Sequence, residues 1–316
     1  MRRDHHEIRV PGECRILGWP APLALFLVVL AATAWAADPL EEVYAAQGRL
    51  FVARLANAPF PHPARAEGHT YHEILYTAPE HYSDNTVALF IPKGFRATAR
   101  VDFVVHFHGW RNTVAGTLAT YHLAEQLVAS GKNAVLVVPE GPSNAPDSFG
   151  GKLEDEGGFA RFMGEIVGVL AARAGFPVQQ PLTIGRIILS GHSGGGEVIA
   201  SVLARGGLAK NADEVWLFDA LYSPPAAYLA WADRTHGRLL DLYTDHGGTK
   251  ANSENLMALL VRRGTPPLAV EETQLDARAL SLSPLTFIHT DLAHDDVMAK
   301  RGEFALFLKT SGLEDR

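Results

Sequence analysis

Arg186-Ile187-Ile188-Leu189-Ser190-Gly191-His192-Ser193-Gly194-Gly195-Gly196 is the stretch that decides how this chain reads. Three aliphatic residues in a row describe a short strand buried on both faces, and the glycines behind them end it abruptly. The apolar segment Val198-Ile199-Ala200 then predicts a helix. Between the two sits Ser193, in Gly191-His192-Ser193-Gly194-Gly195, which fits G-x-S-x-G. A serine on so sharp a strand-to-helix turn takes strained backbone angles, tolerates only small neighbours and offers its hydroxyl at the edge of a sheet. The competing reading is a glycine-rich turn with a solvated serine. What decides between them is whether the flanking chain supplies partners for the hydroxyl.

Working outward, strands are predicted at 71–77, 86–91, 101–107, 134–138, 186–190, 214–218, 239–243 and 285–289. The first two follow each other across a turn-rich link. Helical stretches at 114–130, 158–174, 195–205, 253–263 and 295–310 separate the later ones. Strict strand–helix alternation implies an α/β architecture, here an eight-stranded, mostly parallel sheet with helices on both faces. Upstream, 38–56 has helical spacing opened by Asp38-Pro39, and Ala58-Pro59-Phe60-Pro61-His62-Pro63 reads as an extended surface segment. The expected division is therefore a leader at 1–36, a helix with a proline-rich segment at 37–69, and the α/β domain at 70–316.

In such sheets the chemistry gathers at the carboxyl ends of the strands. After 101–107 comes His108-Gly109-Trp110-Arg111, and after 134–138 a long Gly-rich, charged loop, 147–158, that contains Lys152. Asp219 follows 214–218, Asp245 follows 239–243, and His294 follows 285–289. Either aspartate stands where an acid can orient a histidine, and His294 stands at the right end of the sheet to meet Ser193. Arg111 and Lys152 are candidate receivers for an anionic part of a substrate. Their blander reading is a solvated loop with an ion pair. Tyr222 and Trp110 are candidate rim aromatics. Glu197 sits one turn into the helix behind Ser193.

The first forty residues differ in kind. Four arginines precede an apolar run at 23–35, and Ala34-Trp35-Ala36 matches a small-x-small cleavage pattern. This reads as a secretory signal peptide cleaved after Ala36, the run being short for a membrane span. Cleavage would remove the single cysteine, Cys14, leaving no disulfide and no thiol nucleophile. The expectation is an exported protein, periplasmic or extracellular, with no stable membrane anchor. A formal net charge of −7 gives no basic balance for nucleic acid.

Serine, acid, histidine is the order of the α/β-hydrolases. Over roughly residues 70 to 316 the chain resembles that superfamily. The resemblance rests on the His108-Gly109 loop, the Gly191–Gly195 elbow, the acids after the next two strands, and His294 after the last. It implies Ser193 as nucleophile and His294 as its base. The acid is Asp245, at the superfamily's usual position, or Asp219, at a less usual one. The amides of Gly194 and Trp110, in the Gly109 loop, form the oxyanion hole, and His108, Arg111, Lys152 and Tyr222 face the substrate. The short interval between 218 and 239 leaves no room for a large lid, so an open mouth is expected. The implied activity is that of an exported serine esterase without cofactor, acting on a small-molecule or polymer ester. A serine peptidase of the same fold is the nearest alternative. A metal-dependent hydrolase using His106 and His108, with His289, Asp291, His294, Asp295 and Asp296 as further N and O ligands, is a second. A binding protein that kept the fold and lost the chemistry is a third.

Overall fold

A computed structural model of the chain describes residues 38–176 and 181–316. The segment read as a signal peptide, its cleavage point after Ala36, and Cys14 lie outside the described residues. The strands are β1 (Gly48–Arg54), β2 (His69–Tyr71), β3 (Ile74–Tyr76), β4 (Thr86–Pro92), β5 (Arg100–Phe107), β6 (Val135–Pro139), β7 (Thr183–His192), β8 (Ala212–Phe218), β9 (Arg238–Thr244), β10 (Leu268–Glu271) and β11 (Leu285–Thr290). The helices are α1 (Pro39–Val43), α2 (Ala78–His81), α3 (Val114–Tyr121), α4 (Leu123–Ser130), α5 (Gly158–Arg173), α6 (Gly195–Arg205), α7 (Ala226–Thr235), α8 (Lys250–Arg262), α9 (Ala277–Leu280) and α10 (Glu303–Thr310).

Nine strands form the main sheet, in the order β1-β4-β6-β5-β7-β8-β9-β11-β10. Every pair from β6 to β10 is parallel, while β4 is antiparallel to both β1 and β6. Side chains alternate faces along each strand. On β7, Ile187 and Leu189 join one apolar layer with Phe162 of α5, Ile199 of α6, Trp231 of α7 and Leu256 of α8. Ile188 joins the opposite layer with Leu118 of α3, Leu127 of α4 and Phe304 of α10. Burial on both faces is why these strands read as unbroken apolar runs.

The count is nine where eight strands were expected, for three physical reasons. The segment 38–56 is not one helix. It is the five-residue α1, capped by the Asp38 side chain on the Leu40 amide, followed by β1. β1 is buried on both faces, with Leu50 in one layer and Phe51 and Ala53 in the other, so its apolar residues mimic helical spacing. β10 is a four-residue edge strand whose residues are intermediate or exposed, and its short Leu268-Ala269-Val270 run follows directly on two prolines. Conversely, the strand expected at 71–77 is cut by a turn at His72-Glu73 into the small β2–β3 hairpin, outside the main sheet. The proline-rich segment is less superficial than its composition suggests: Phe60 is fully buried, edge-on to Tyr82 and Phe149. The helix expected over 114–130 breaks at His122, which takes a left-handed conformation between α3 and α4.

Topology places the site. The chain leaves β5, forms β6 on one side of it, then returns to form β7 on the other. In open α/β sheets a crevice opens where strand order reverses in this way. Phe107 at the end of β5 lies opposite Gly191 near the end of β7, so the His108-Gly109 loop and the Ser193 turn emerge side by side.

Candidate active site

β7 ends at His192 and α6 starts at Gly195, so two residues make the whole reversal. Ser193 has φ +53°, a left-handed conformation that a side-chain-bearing residue holds only under constraint. The constraint is backbone packing. A side chain on Gly195 would strike the Phe107 carbonyl, and one on Gly109 would come within 2.6 Å of the Ser193 Cβ. These glycines let β5, the elbow and its loop close on one another around the serine. Among the described residues, the amides of Gly194 and Trp110 make no hydrogen bond within the protein, whereas that of Arg111 is taken by the Ala145 carbonyl at 2.9 Å.

Asp219 follows β8 directly, is fully buried and has φ +45°. Its amide donates to the Leu242 carbonyl at 2.6 Å, which draws the turn toward β9. One carboxylate oxygen accepts from His294 Nδ1 at 2.5 Å, and the other accepts from the Thr249 hydroxyl. A buried carboxylate is tolerable only when its oxygens are matched in this way. Because Nδ1 faces a carboxylate it carries the ring proton, which leaves Nε2 with a lone pair and no protein donor among the described residues. Gly247 makes the pairing possible: a side chain there would overlap the Asp219 carboxylate and approach His294 Nδ1 to 2.7 Å.

Asp245, the acid that the superfamily pattern favours, is not part of this group. Its oxygens meet Lys250 Nζ at 2.6 Å and His289 Nε2 at 3.2 Å, and its side chain is 43% exposed. Lys250 and His289 hold its carboxyl below the usual carboxylate range. β9 ends at Thr244 and Asp245 opens the turn that follows, where its carboxylate meets His289 of β11.

Two other expected substrate contacts, His108 and Lys152, are engaged elsewhere. His108 is buried. Its Nδ1 donates to the Gly109 carbonyl at 2.8 Å and its Nε2 accepts from the Gly141 amide at 3.0 Å, so it is neutral and ties the β5 loop to the β6 loop. Burial lowers its pKa, in keeping with that state. Lys152 donates to the Ala56 carbonyl at 2.8 Å instead of facing the site. Arg111 is exposed, with φ +55°. Tyr222 stays at the site: its hydroxyl lies beside Ser193 and donates to the Gly247 carbonyl. Glu197 is exposed, and burial of part of its surface with Glu154 and Asp147 nearby raises its pKa.

The structure adds residues that the sequence did not single out. Ser148 Oγ accepts from the Trp110 indole N–H at 2.8 Å and lies against Gly194. Tyr71 of the β2–β3 hairpin meets Trp110 edge-on, 5.1 Å between centroids. His192, inside the elbow motif, donates from Nε2 to the His294 backbone carbonyl at 2.9 Å, and Tyr121 reaches its Nδ1 at 3.0 Å. The pairing of His106 with His108 as metal ligands does not form: His106 Nδ1 is on Ser190 Oγ at 3.0 Å, inside the core, and His108 is engaged as above. Of the further ligands considered, His289 meets Glu271 and Asp245, Asp291 meets Arg301, and Asp296 meets Lys300. Asp295 lies near His192 and His294, of which His192 Nε2 is on the His294 carbonyl and His294 Nδ1 is on Asp219.

No protein-family model matches the chain, and no curated protein sequence matches it. Solved structures do. A serine-to-alanine mutant of the feruloyl esterase module from Clostridium thermocellum, complexed with sinapinate, superposes with a TM-score of 0.50 at 10% identity, over 89% of this chain and 92% of that one. A substrate-bound fluorophosphonate-binding serine hydrolase of Staphylococcus aureus gives 0.49 at 10% identity, over 84% and 99%. An acetyl xylan esterase from Aspergillus awamori gives 0.44 at 10% identity, over 70% and 93%. At such identities the likeness is one of fold: the chain has the α/β-hydrolase fold.

Proposed function

We propose that this α/β-hydrolase-fold chain is an exported serine hydrolase that cleaves carboxylic esters through an acyl-enzyme on Ser193. The observation that carries the reading is the pairing of buried Asp219 with His294, set at the same sheet end as a strained serine and two amides that are unpaired among the described residues. His294 Nε2 takes the Ser193 proton as Oγ bonds to the ester carbonyl carbon. The carbonyl oxygen, now negative, receives the N–H groups of Gly194 and Trp110. Collapse breaks the bond to the alcohol, which leaves with the proton from His294. Water then repeats the cycle on the acyl-enzyme and frees the acid. Asp219 keeps the imidazole in its Nδ1–H form and offsets the charge on the imidazolium.

The mouth supports an ester with an apolar part. Trp110 is 43% exposed, and its indole nitrogen is already bonded to Ser148, so it offers carbon surface beside Gly194. Tyr71 extends that surface outward. The leader-like sequence at 1–36 supports export. Labelling by a fluorophosphonate probe, with Ser193→Ala alongside, tests the reading. Wild-type protein should label and hydrolyse p-nitrophenyl acetate, and the variant should do neither. Labelling unchanged by the substitution would sink the proposal, and loss of activity to a chelator would redirect it to a metal.

A further inference from the structure

Resting on that reading, we propose that His192, the variable residue of G-x-S-x-G, is the positioning residue that holds the base in place. It does so through the backbone of His294 and not through its side chain. A carbonyl only accepts, so the 2.9 Å contact between His192 Nε2 and the His294 carbonyl puts the His192 ring proton on Nε2. Nδ1 is then an acceptor, and the Tyr121 hydroxyl, 3.0 Å away at the end of α3, donates to it. The ring is buried, with both nitrogens satisfied and a single tautomer allowed.

This chain of bonds joins three segments that have no covalent reason to stay in register. Helix α3 follows the His108-Gly109 loop, His192 precedes the nucleophile, and His294 sits on a short turn after β11. The His294 turn needs such an anchor. It is a single 3-10 turn between β11 and α10, with no side-chain cap. Its ring is tied at Nδ1 by Asp219, and its backbone by His192. The two imidazoles lie 4.6 Å apart, so a charge on His192 would oppose the imidazolium that forms on His294. Burial, with His294 as neighbour, lowers the His192 pKa to about 4, and the residue stays neutral while His294 cycles.

Gln and Asn separate the two edges of the ring. Glutamine reproduces the Nε2 edge and can still donate to the His294 carbonyl. Asparagine reproduces the Nδ1 edge and keeps only the Tyr121 contact. Ångström-scale misplacement of a catalytic group costs up to about 100-fold. His192→Gln should therefore stay within about threefold of wild-type kcat, while His192→Asn loses about 10- to 100-fold. The KM of both should remain within about twofold, since neither contacts substrate. Wild-type kcat in His192→Asn, or an equal loss in both variants, would overturn the proposal. A measurement on the unaltered protein decides it independently: ring ¹⁵N shifts of His192 between pH 6 and 8 should show the Nε2–H form, and the Nδ1–H form would refute it. Ser193→Ala, run in parallel, separates the two claims. If it remains active, the serine mechanism fails. If it is inactive while His192→Asn matches wild type, only the positioning role fails.

Discussion

Asp219 and Asp245 look alike along the chain, each an acid just past a strand, and they differ by what their backbones do next. The Asp219 turn is pinned to Leu242 and rotates its carboxylate under His294, while Thr249 takes the second oxygen. Asp245 is solvated and paired with Lys250 and His289. Asp219→Asn should cut kcat on p-nitrophenyl acetate by about 10⁴, the scale seen when an orienting acid is made neutral. Asp245→Asn should stay within about threefold, as removal of an exposed ion pair does little. Equal losses from the two would overturn the assignment. No local signal separates the two in the sequence, though one residue marks the space. Gly247-Gly248 stands two residues past Asp245, and Gly247 is the position where a side chain would strike the Asp219–His294 pair. The glycine marks the space, but only the folded chain shows whose carboxylate fills it.

The β2–β3 hairpin is the element that the sequence concealed. Its turn, His72-Glu73, has φ +45° and +64°, a conformation that two-residue hairpin turns usually reserve for Asn-Gly or Asp-Gly. With no glycine to mark it, the segment reads as one strand. Folded, it pairs Tyr71 with Ile74, and cross-strand partners share a face. Ile74 is therefore on the face that carries Tyr71 to Trp110, and it is 58% exposed. Trp110, Tyr71 and Ile74 together offer an apolar surface that would suit the apolar part of an ester under the proposed reading. Ile74→Ser and Tyr71→Ala should lower kcat/KM for p-nitrophenyl octanoate about 10-fold, in the range of a few lost apolar contacts, and leave the acetate ester within about twofold. The ratio of the two rates is the readout. A ratio unmoved in both variants removes the hairpin from substrate binding.

At the scale of the whole molecule, the sheet that aligns the site also buries charge beneath it. Asp241 of β9 is fully buried, with Ser253 alongside and, among the described residues, no hydrogen bond to either carboxylate oxygen. Burial raises its pKa to about 7, and Asp219 nearby pushes the same way. The folded chain thus keeps this proton up to about pH 7, while the unfolded chain releases it near pH 4. Between those values the native state binds more protons, so stability falls as pH rises through the window. Three pKa units correspond to about 4 kcal/mol, as an order of magnitude. Glu140 and Glu303, also raised by burial, to about 7 and about 8, add slopes of the same sign. Asp241→Asn should raise Tm at pH 8, and its advantage should shrink as pH falls toward 4. A gap that stays constant across thermal melts from pH 4 to 8 would show that Asp241 is not the group that titrates.

The α/β class, the central strands and the sharp turn at Ser193 were legible because each leaves a local trace. Burial on both faces forces unbroken apolar runs such as 187–189, and a two-residue reversal admits only small neighbours around the serine. Helix-like spacing over 38–56, the unmarked turn at His72-Glu73 and the short edge strand β10 were not legible, because their conformation is imposed by neighbours distant in sequence. The same division runs through the site. Sequence placed Asp219, Asp245 and His108 at strand ends, where chemistry gathers, and Lys152 in the long loop 147–158. Only the tertiary structure decided where each of them points: Asp219 to the imidazole, Asp245 to Lys250, His108 to two loops and Lys152 to a carbonyl of the N-terminal segment. The carboxyl end of a strand is a property of chain order. The direction of a side chain there depends on hydrogen bonds to strands tens of residues away, and no local pattern encodes those.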